Sequence, residues 1–257
     1  MLVQFVEMNK RLSHQSDKMA RSVFGRRDGN YAFTSTILPR LFSQDARVLD
    51  VGGGKHPSTP PDLKARLNLH VTGLDISLAE LEAAPPGAYE DVIVGDVAKV
   101  ELPVNHYDLV FSCALLEHVV DVPGALKNLA RATRPGGLMA HFIPCGNAPF
   151  ARLNRLLGNE QAKRILFRLL PEARGTQGFP AYYHHCSPGE MRRVLGDLRF
   201  EIDDLISYYA SGYASFFFQL HLAEIAAQVT AMKVQSHGLC ESFVVIAKKP
   251  RGSDGRS

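Results

Sequence analysis

The 257-residue chain has no long apolar run. Its greasiest stretch, "YASFFFQLHLAEIAAQVTAM" (213–232), is broken by Gln219, His221, Glu224 and Gln228. A membrane-spanning helix needs roughly 20 mostly apolar residues, so a bilayer crossing is not expected. Lys10, Arg11 and Lys18 have no apolar segment behind them, and no signal peptide is read. Charge of one sign is scarce as well. A net charge of +3 does not announce a nucleic-acid surface, and the basic residues are scattered apart from a modest cluster at Arg152, Arg155, Lys163, Arg164 and Arg168. Cysteine is sparse: Cys113, Cys145, Cys186 and Cys240 form no CxxC pair. That argues against a zinc site or a disulfide framework and for reduced thiols in a cytoplasm. Internal repeats and low-complexity tracts are absent. No carboxylate/His cluster has metal-ligand spacing, so no metal is expected.

What is present suits one folded α/β domain, 46% hydrophobic and 21% charged. Residues 5–24 read as an amphipathic helix, and "RDGNYAFTSTILPRLF" as a turn entering a short helix. From Arg47 a regular alternation begins. Apolar strands are expected at 47–51, 71–75, 91–95, 107–113 and 138–143, with helices near 60–68, 78–84 and 122–133. Strands alternating with helices at this spacing indicate βαβ units and a parallel sheet covered on both faces. Asp121 and Pro123 suit a helix start, and "RPGG" (134–137) a break. After Ile143 the rhythm changes. Two helical pieces, "APFARLNRLLG" and "EQAKRILFRLLPE", precede the loop "GTQGFPAYYHH", an insertion of the kind that overhangs a ligand crevice. "SPGEMRRVLGDL" is a capped helix starting at Ser187, "FEIDDLISYYA" a sixth strand and "CESFVVIAKKP" a closing strand.

Ligands of open parallel sheets sit outside the carboxyl ends of the strands. Here the first strand ends "VLDVGGG", with Asp50 and then Gly52, Gly53 and Gly54. The second ends "GLDIS" at Asp75, the third "VGDV" at Asp96, and the fourth runs "YDLVFSCALLEHV" into Glu117 and His118. A glycine turn or a lone aspartate is weak evidence, since each could be a turn or a helix cap. Three strand tips ending in carboxylates around one crevice are harder to read that way. An acid at the second tip fits a ribose diol and by itself permits NAD. However, the dinucleotide fingerprint needs glycine where Pro57 stands, and Asp50 would face a pyrophosphate. A ligand with ribose and adenine, no phosphate, and a cation near Asp50 fits better. S-adenosylmethionine, with its α-ammonium and sulfonium, is such a ligand.

In this order and spacing, "VLDVGGG", "GLDIS", "VGDV", "YDLVFSCALLEHVVD" and "RPGG" resemble the class I S-adenosylmethionine-dependent methyltransferases, closest to their broad small-molecule group, over about residues 45–145. The resemblance implies a doubly wound, mostly parallel seven-stranded Rossmann-like sheet with an inserted helical lid. It divides one domain into a helical cap (1–46), a cofactor-binding half (47–146), the lid (147–186), a C-terminal half (187–248) and a disordered tail (249–257). It also implies that Asp50 holds the methionine ammonium and that Gly52, Gly53 and Gly54 admit the methionine part. Asp75 would bind the ribose hydroxyls, with Ile76 on the adenine. Asp96 and the Val97 amide would meet the adenine edge, Ser112 and Cys113 would floor the sulfonium, and His118 would lie toward the substrate. One departure is that His56 stands at the usual third glycine of the loop, so the first helix is expected to start later, after "HPSTPP".

For a hydroxyl acceptor, the base candidates are His118 and, from "AYYHHCSP", Tyr182, Tyr183, His184 and His185; histidine titrates near neutrality. "GFPAYYHHCSP" and the chain's last third look like bacterial methyltransferases found with polysaccharide and glycolipid assembly. That implies a small-molecule or glycan acceptor. The helix within 213–232 would then rest on a membrane surface, with a core or homodimer contact as its other reading. An NAD-dependent oxidoreductase and a non-catalytic cofactor-binding subunit remain as alternatives. No nucleic-acid partner is expected.

Overall fold

The computed structural model describes residues 2–25, 28–157, 180–212 and 214–251. The expected lid helix "EQAKRILFRLLPE", with Lys163, Arg164 and Arg168, and the tail beyond Arg251 lie outside these described residues.

Helix α1 (Leu2–Phe24) comes first. The expected turn and short helix become a continuous helical run: α2 (Gly29–Ala32), a π-helical stretch (Phe33–Ile37) and α3 (Leu38–Leu41). Asp28 caps it by accepting from the Tyr31 amide. Seven strands follow: β1 (Arg47–Val51), β2 (His70–Asp75), β3 (Asp91–Val94), β4 (Tyr107–Cys113), β5 (Thr133–Pro144), β6 (Glu201–Tyr208) and β7 (Ser242–Lys248). They form one sheet in the order β3-β2-β1-β4-β5-β7-β6. Pairing is parallel from β3 to β5, and β7 runs antiparallel between β5 and β6. The expected seven-stranded, mostly parallel, doubly wound sheet is therefore the observed one.

Its two faces carry separate cores. Leu49, Val51, Val110, Met139 and Ile143 face α6 (Val122–Ala132), whose Val122, Ala125, Leu126 and Leu129 return at helical spacing. Val48, Leu109, Phe111 and Ala140 face Phe33, Leu38 and Phe42 of the N-terminal helical run. Both faces of the inner strands are thus apolar, as a parallel sheet requires. Asp121 caps α6 by accepting from the Gly124 amide at 2.9 Å. The strand expected from 138 begins earlier, at Thr133. "RPGG" does end the helix, but it does so as an irregular stretch of β5, where the register against β4 shifts between Tyr107 and Leu109 and Gly136 takes a positive φ. Among the described residues the remaining α-helices are α4 (Pro61–Arg66), α5 (Leu78–Glu82), α7 (Pro149–Leu157), α8 (Pro188–Asp197, capped by Ser187 as expected) and α9 (Phe218–Lys233).

Candidate active site

Strand register gathers the expected carboxylates at one rim. Asp50 pairs with Gly73 of β2 and Phe111 of β4, and Asp75 sits beside Val94 of β3. The chain leaves β1 through Gly52, whose amide donates to the Leu74 carbonyl at 2.7 Å. Gly52 holds a positive φ of 75°, and a Cβ there would strike Leu115 at 2.6 Å. A Cβ on Gly53 would meet an Asp50 carboxylate oxygen at 2.6 Å, and one on Gly54 would meet Asp75 at 3.1 Å. The bare backbone is therefore what lets the loop lie against both acids. As the His56 departure suggested, the next helix starts late, at Pro61. The Ser58 amide of the rebuilt loop instead donates to Asp50 at 3.2 Å.

Asp50 is 1% exposed. Burial pushes its carboxyl up to about 7, with Asp75 adding to the shift and the Ser58 amide opposing it. A buried acid held in this state is a poor resting anion and a good partner for an incoming cation. Tyr89, which sequence reasoning missed, closes the same corner. Its hydroxyl donates to the Gly54 carbonyl at 3.1 Å, its ring covers Gly73, and burial, Asp50 and Asp75 together raise its own pKa.

The third carboxylate is less committed to this corner. Gly95 donates to the Asp75 carbonyl at 2.9 Å, bringing Asp96 to the same rim. Its oxygens accept from the Ala98 amide at 3.0 Å and lie 3.3 Å from Lys99 Nζ. Asn128 of α6 holds this turn by donating to the carbonyls of Val97 and Val100 at 2.9 and 2.7 Å. Ile76 is exposed beside it, while Val97 is buried.

Ser112 and Cys113 do not share a floor, because strand alternation sends them to opposite faces. Cys113 accepts from Asn30 Nδ2 at 3.4 Å on the Asp50 side. Ser112 is fully buried on the other face, with Oγ 2.8 Å from Nδ1 of a buried, neutral His141 whose pKa burial lowers to about 4.

Beyond β4 a 3₁₀ turn, Leu116–His118, carries the substrate-side candidates. His118 Nδ1 donates to the Pro180 carbonyl at 2.8 Å, and Nε2 lies 3.7 Å from Glu117 Oε1. Glu117 is buried, its Oε2 has no hydrogen-bond partner, and burial raises its carboxyl to about 8. Its backbone carbonyl accepts from the amides of Tyr182 and Tyr183 at 2.7 and 3.0 Å, lacing the 180–186 segment onto this turn. The other base candidates separate. Tyr183 is packed into the core, His184 donates to the Val120 carbonyl at 3.0 Å, and His185 is exposed. Tyr183 and His185 both hold a positive φ, the first with its side chain buried and the second exposed.

Comparison with known proteins shows which family carries a rim of this kind. Residues 49–141 match the family model described as "Methyltransferase domain". A ubiquinone biosynthesis O-methyltransferase of Xanthomonas oryzae pv. oryzae is 30% identical over 178 residues, covering 66% of this chain and 68% of that one. Its counterpart in Pseudomonas entomophila is 29% identical over 178 residues, covering 66% and 71%. In fold, the chain resembles an S-adenosylmethionine-dependent methyltransferase from Mesorhizobium loti (TM-score 0.55, 18% identity, 86% of this chain and 98% of that one). It also resembles geranyl diphosphate C-methyltransferase from Streptomyces coelicolor (TM-score 0.57, 13% identity, 85% and 80%). The chain belongs to the class I S-adenosylmethionine-dependent methyltransferases, and S-adenosylmethionine is its cofactor. The dehydrogenase and non-catalytic readings are set aside.

Proposed function

We propose that this enzyme methylates a hydroxyl oxygen of a small molecule, with His118 as the base. The observation that carries the proposal is the His118 ring itself. A carbonyl only accepts, so the contact to Pro180 puts the proton on Nδ1, and we assign Nε2 to take a proton from the acceptor. The buried Glu117 carboxyl 3.7 Å away, raised to about 8 by burial, offsets the charge that His118 then acquires once that carboxyl is ionised.

Bound in the cleft, S-adenosylmethionine supplies a methyl group on a positively charged sulfur, a leaving group that needs no further activation. We assign Asp50 to its ammonium, Gly52, Gly53 and Gly54 to close approach of its methionine part, and Asp75 to the ribose hydroxyls. Ile76, Asp96 and the Val97 amide are assigned to the adenine, and Cys113 to the floor near Asp50. Ser112 supports the floor from behind through His141. The 147–186 insertion shapes the acceptor side, and alignment with exclusion of water supplies most of the remaining rate. Four cysteines without a disulfide fit a reducing cytoplasm.

The relatives named for O-methylation in ubiquinone biosynthesis support an oxygen acceptor, and we favour a phenolic hydroxyl of a quinone precursor over a sugar hydroxyl. The test is formation of S-adenosylhomocysteine with parallel panels of catechols, phenols and glycans. Turnover on a phenol that is lost in His118→Ala supports the reading. Turnover on glycans alone would move the acceptor to a sugar, and full activity in His118→Ala would remove the base.

A further inference from the structure

Helix α1 reverses the usual logic of a surface helix. Its seam toward α9 is made of Asn9, Ser13 and Ala20, all buried. Asn9 accepts from the Phe218 amide at 2.9 Å, and Ala20 meets Ile225 and Val229. The large apolar side chains lie elsewhere. Phe5, Met8 and Leu12 are exposed, Met19 is 70% exposed and Val23 64%. At ~3.6 residues per turn these five fall within an arc of about 60°, one stripe along the helix. Phe217, just before α9, extends it, its ring centroid 6.4 Å from that of Phe5. Single exposed apolar residues are ordinary, but an aligned row of five marks a surface that something covers.

Charge indicates what covers it. Within α1, Lys10, Arg11, Lys18 and Arg21 outnumber Glu7 and Asp17, and Arg26 and Arg27 follow in the sequence. Both acids are engaged: Glu7 lies 3.7 Å from Lys10, and Asp17 lies 2.8 Å from Arg21. Arg11 and Lys18 are exposed on one flank, about 100° from the middle of the stripe at ~3.6 residues per turn. A second copy docked across a two-fold axis would bring this basic flank against itself. An anionic lipid surface complements both the apolar row and the cations beside it.

We propose that α1, together with Phe217, is an interfacial helix that seats the protein on an anionic bilayer. The contact is peripheral, because no helix among the described residues is long and apolar enough to cross a membrane. It also relocates the surface expected from residues 213–232: α9 buries His221, Ile225, Gln228 and Val229, and the continuous apolar row belongs to α1. This inference is independent of the acceptor assignment.

The experiment is flotation of the full chain with phosphatidylcholine vesicles, with and without phosphatidylglycerol, alongside sedimentation without lipid. The wild type is expected to float with the anionic vesicles and much less with the neutral ones. Leu12→Glu/Met19→Glu and, separately, Arg11→Glu/Lys18→Glu are each expected to lower partitioning on the order of tenfold or more. These positions are exposed, so melting temperature and S-adenosylmethionine affinity in lipid-free buffer should not change. No flotation of the wild type, or equal flotation of the Leu12/Met19 variant, overturns the proposal. So does a lipid-free dimer that this variant dissociates, which would give the face to a second copy.

Discussion

The two ends of the proposed cleft, one assigned to the cofactor and the other to the acceptor, are built by different means. At the cofactor end, Asp50, Gly53 and Gly54 meet Asp75 and Tyr89 through the register of adjacent strands and the turn between β1 and α4. At the acceptor end, His118 is oriented by the carbonyl of Pro180, 62 positions along the chain, and Glu117 is roofed by the amides of Tyr182 and Tyr183. The first end is a repeated property of parallel strands, which all point their carboxyl ends the same way. The second depends on where one insertion settles. The cofactor end should therefore answer to single substitutions with a loss of affinity, and the acceptor end with a loss of rate.

The largest effect is expected from the acceptor end. His118→Ala should lower kcat by roughly 10²–10⁴-fold while leaving S-adenosylmethionine affinity by calorimetry near wild type. An equal loss of affinity would erase the contrast between the two ends. Glu117→Gln sharpens it. If the ionised form of Glu117 supports His118, kcat should climb as pH rises through about 8, and the substitution should flatten that limb.

Asp75→Ala is next, at the cofactor end. Losing a carboxylate that accepts from a diol should weaken S-adenosylmethionine on the order of a hundredfold, from roughly 1.5–3 kcal/mol per charged hydrogen bond. The melting temperature of the cofactor-free protein should fall only modestly, through loss of the bond that the Ser77 amide donates to Asp75 at 2.9 Å. Asp50→Asn separates binding from folding more cleanly. The folded carboxyl titrates near 7 rather than 3.8, so the stability linked to it is fully present below about pH 4 and is lost as pH rises to 7. That shift corresponds to ~4 kcal/mol, as an order of magnitude. The asparagine should therefore raise the melting temperature of the cofactor-free protein at about pH 8 and weaken cofactor binding there on the order of tenfold. Below about pH 7 it should also abolish the proton that the wild type releases when the ammonium binds. A variant that melts lower at that pH would contradict the burial argument.

The smallest effect belongs to Tyr89→Phe. Removing one neutral hydrogen bond to the Gly54 carbonyl should weaken the cofactor by a few-fold, about 1 kcal/mol, with kcat unchanged. A drop in kcat without a change in affinity would show that Tyr89 acts on the reaction rather than on the loop.

Much of this was legible in the chain. The alternation of apolar strands with capped helices defined the parallel sheet, and the acids at three strand tips, with glycines after the first, defined the rim. The late start of α4 followed from His56 and Pro57 standing where the usual loop has small residues. What was missed shares one property. Tyr89, Asn30 and Ser58 reach the Asp50 corner from segments 8 to 39 positions away, Asn30 from the short helix α2 and the other two from loops whose local sequence carries no chemical signature. Glu117 stood in "LLEHV" beside His118 with no role read for it, because its burial is not visible in the sequence. The resemblance implied one floor for Ser112 and Cys113, and strand alternation turns the two side chains to opposite faces of the sheet.

The sequence by itself determined the sheet and the class of cofactor, because apolar period and strand-end chemistry are local and repeat along the chain. Only the tertiary structure decided that Asp50 is a buried, easily protonated acid, that His118 rather than Tyr183 has its ring positioned at the turn after β4, and that the apolar side of α1 faces outward. Burial and long-range contact set those properties, and neither is written in any short stretch of residues.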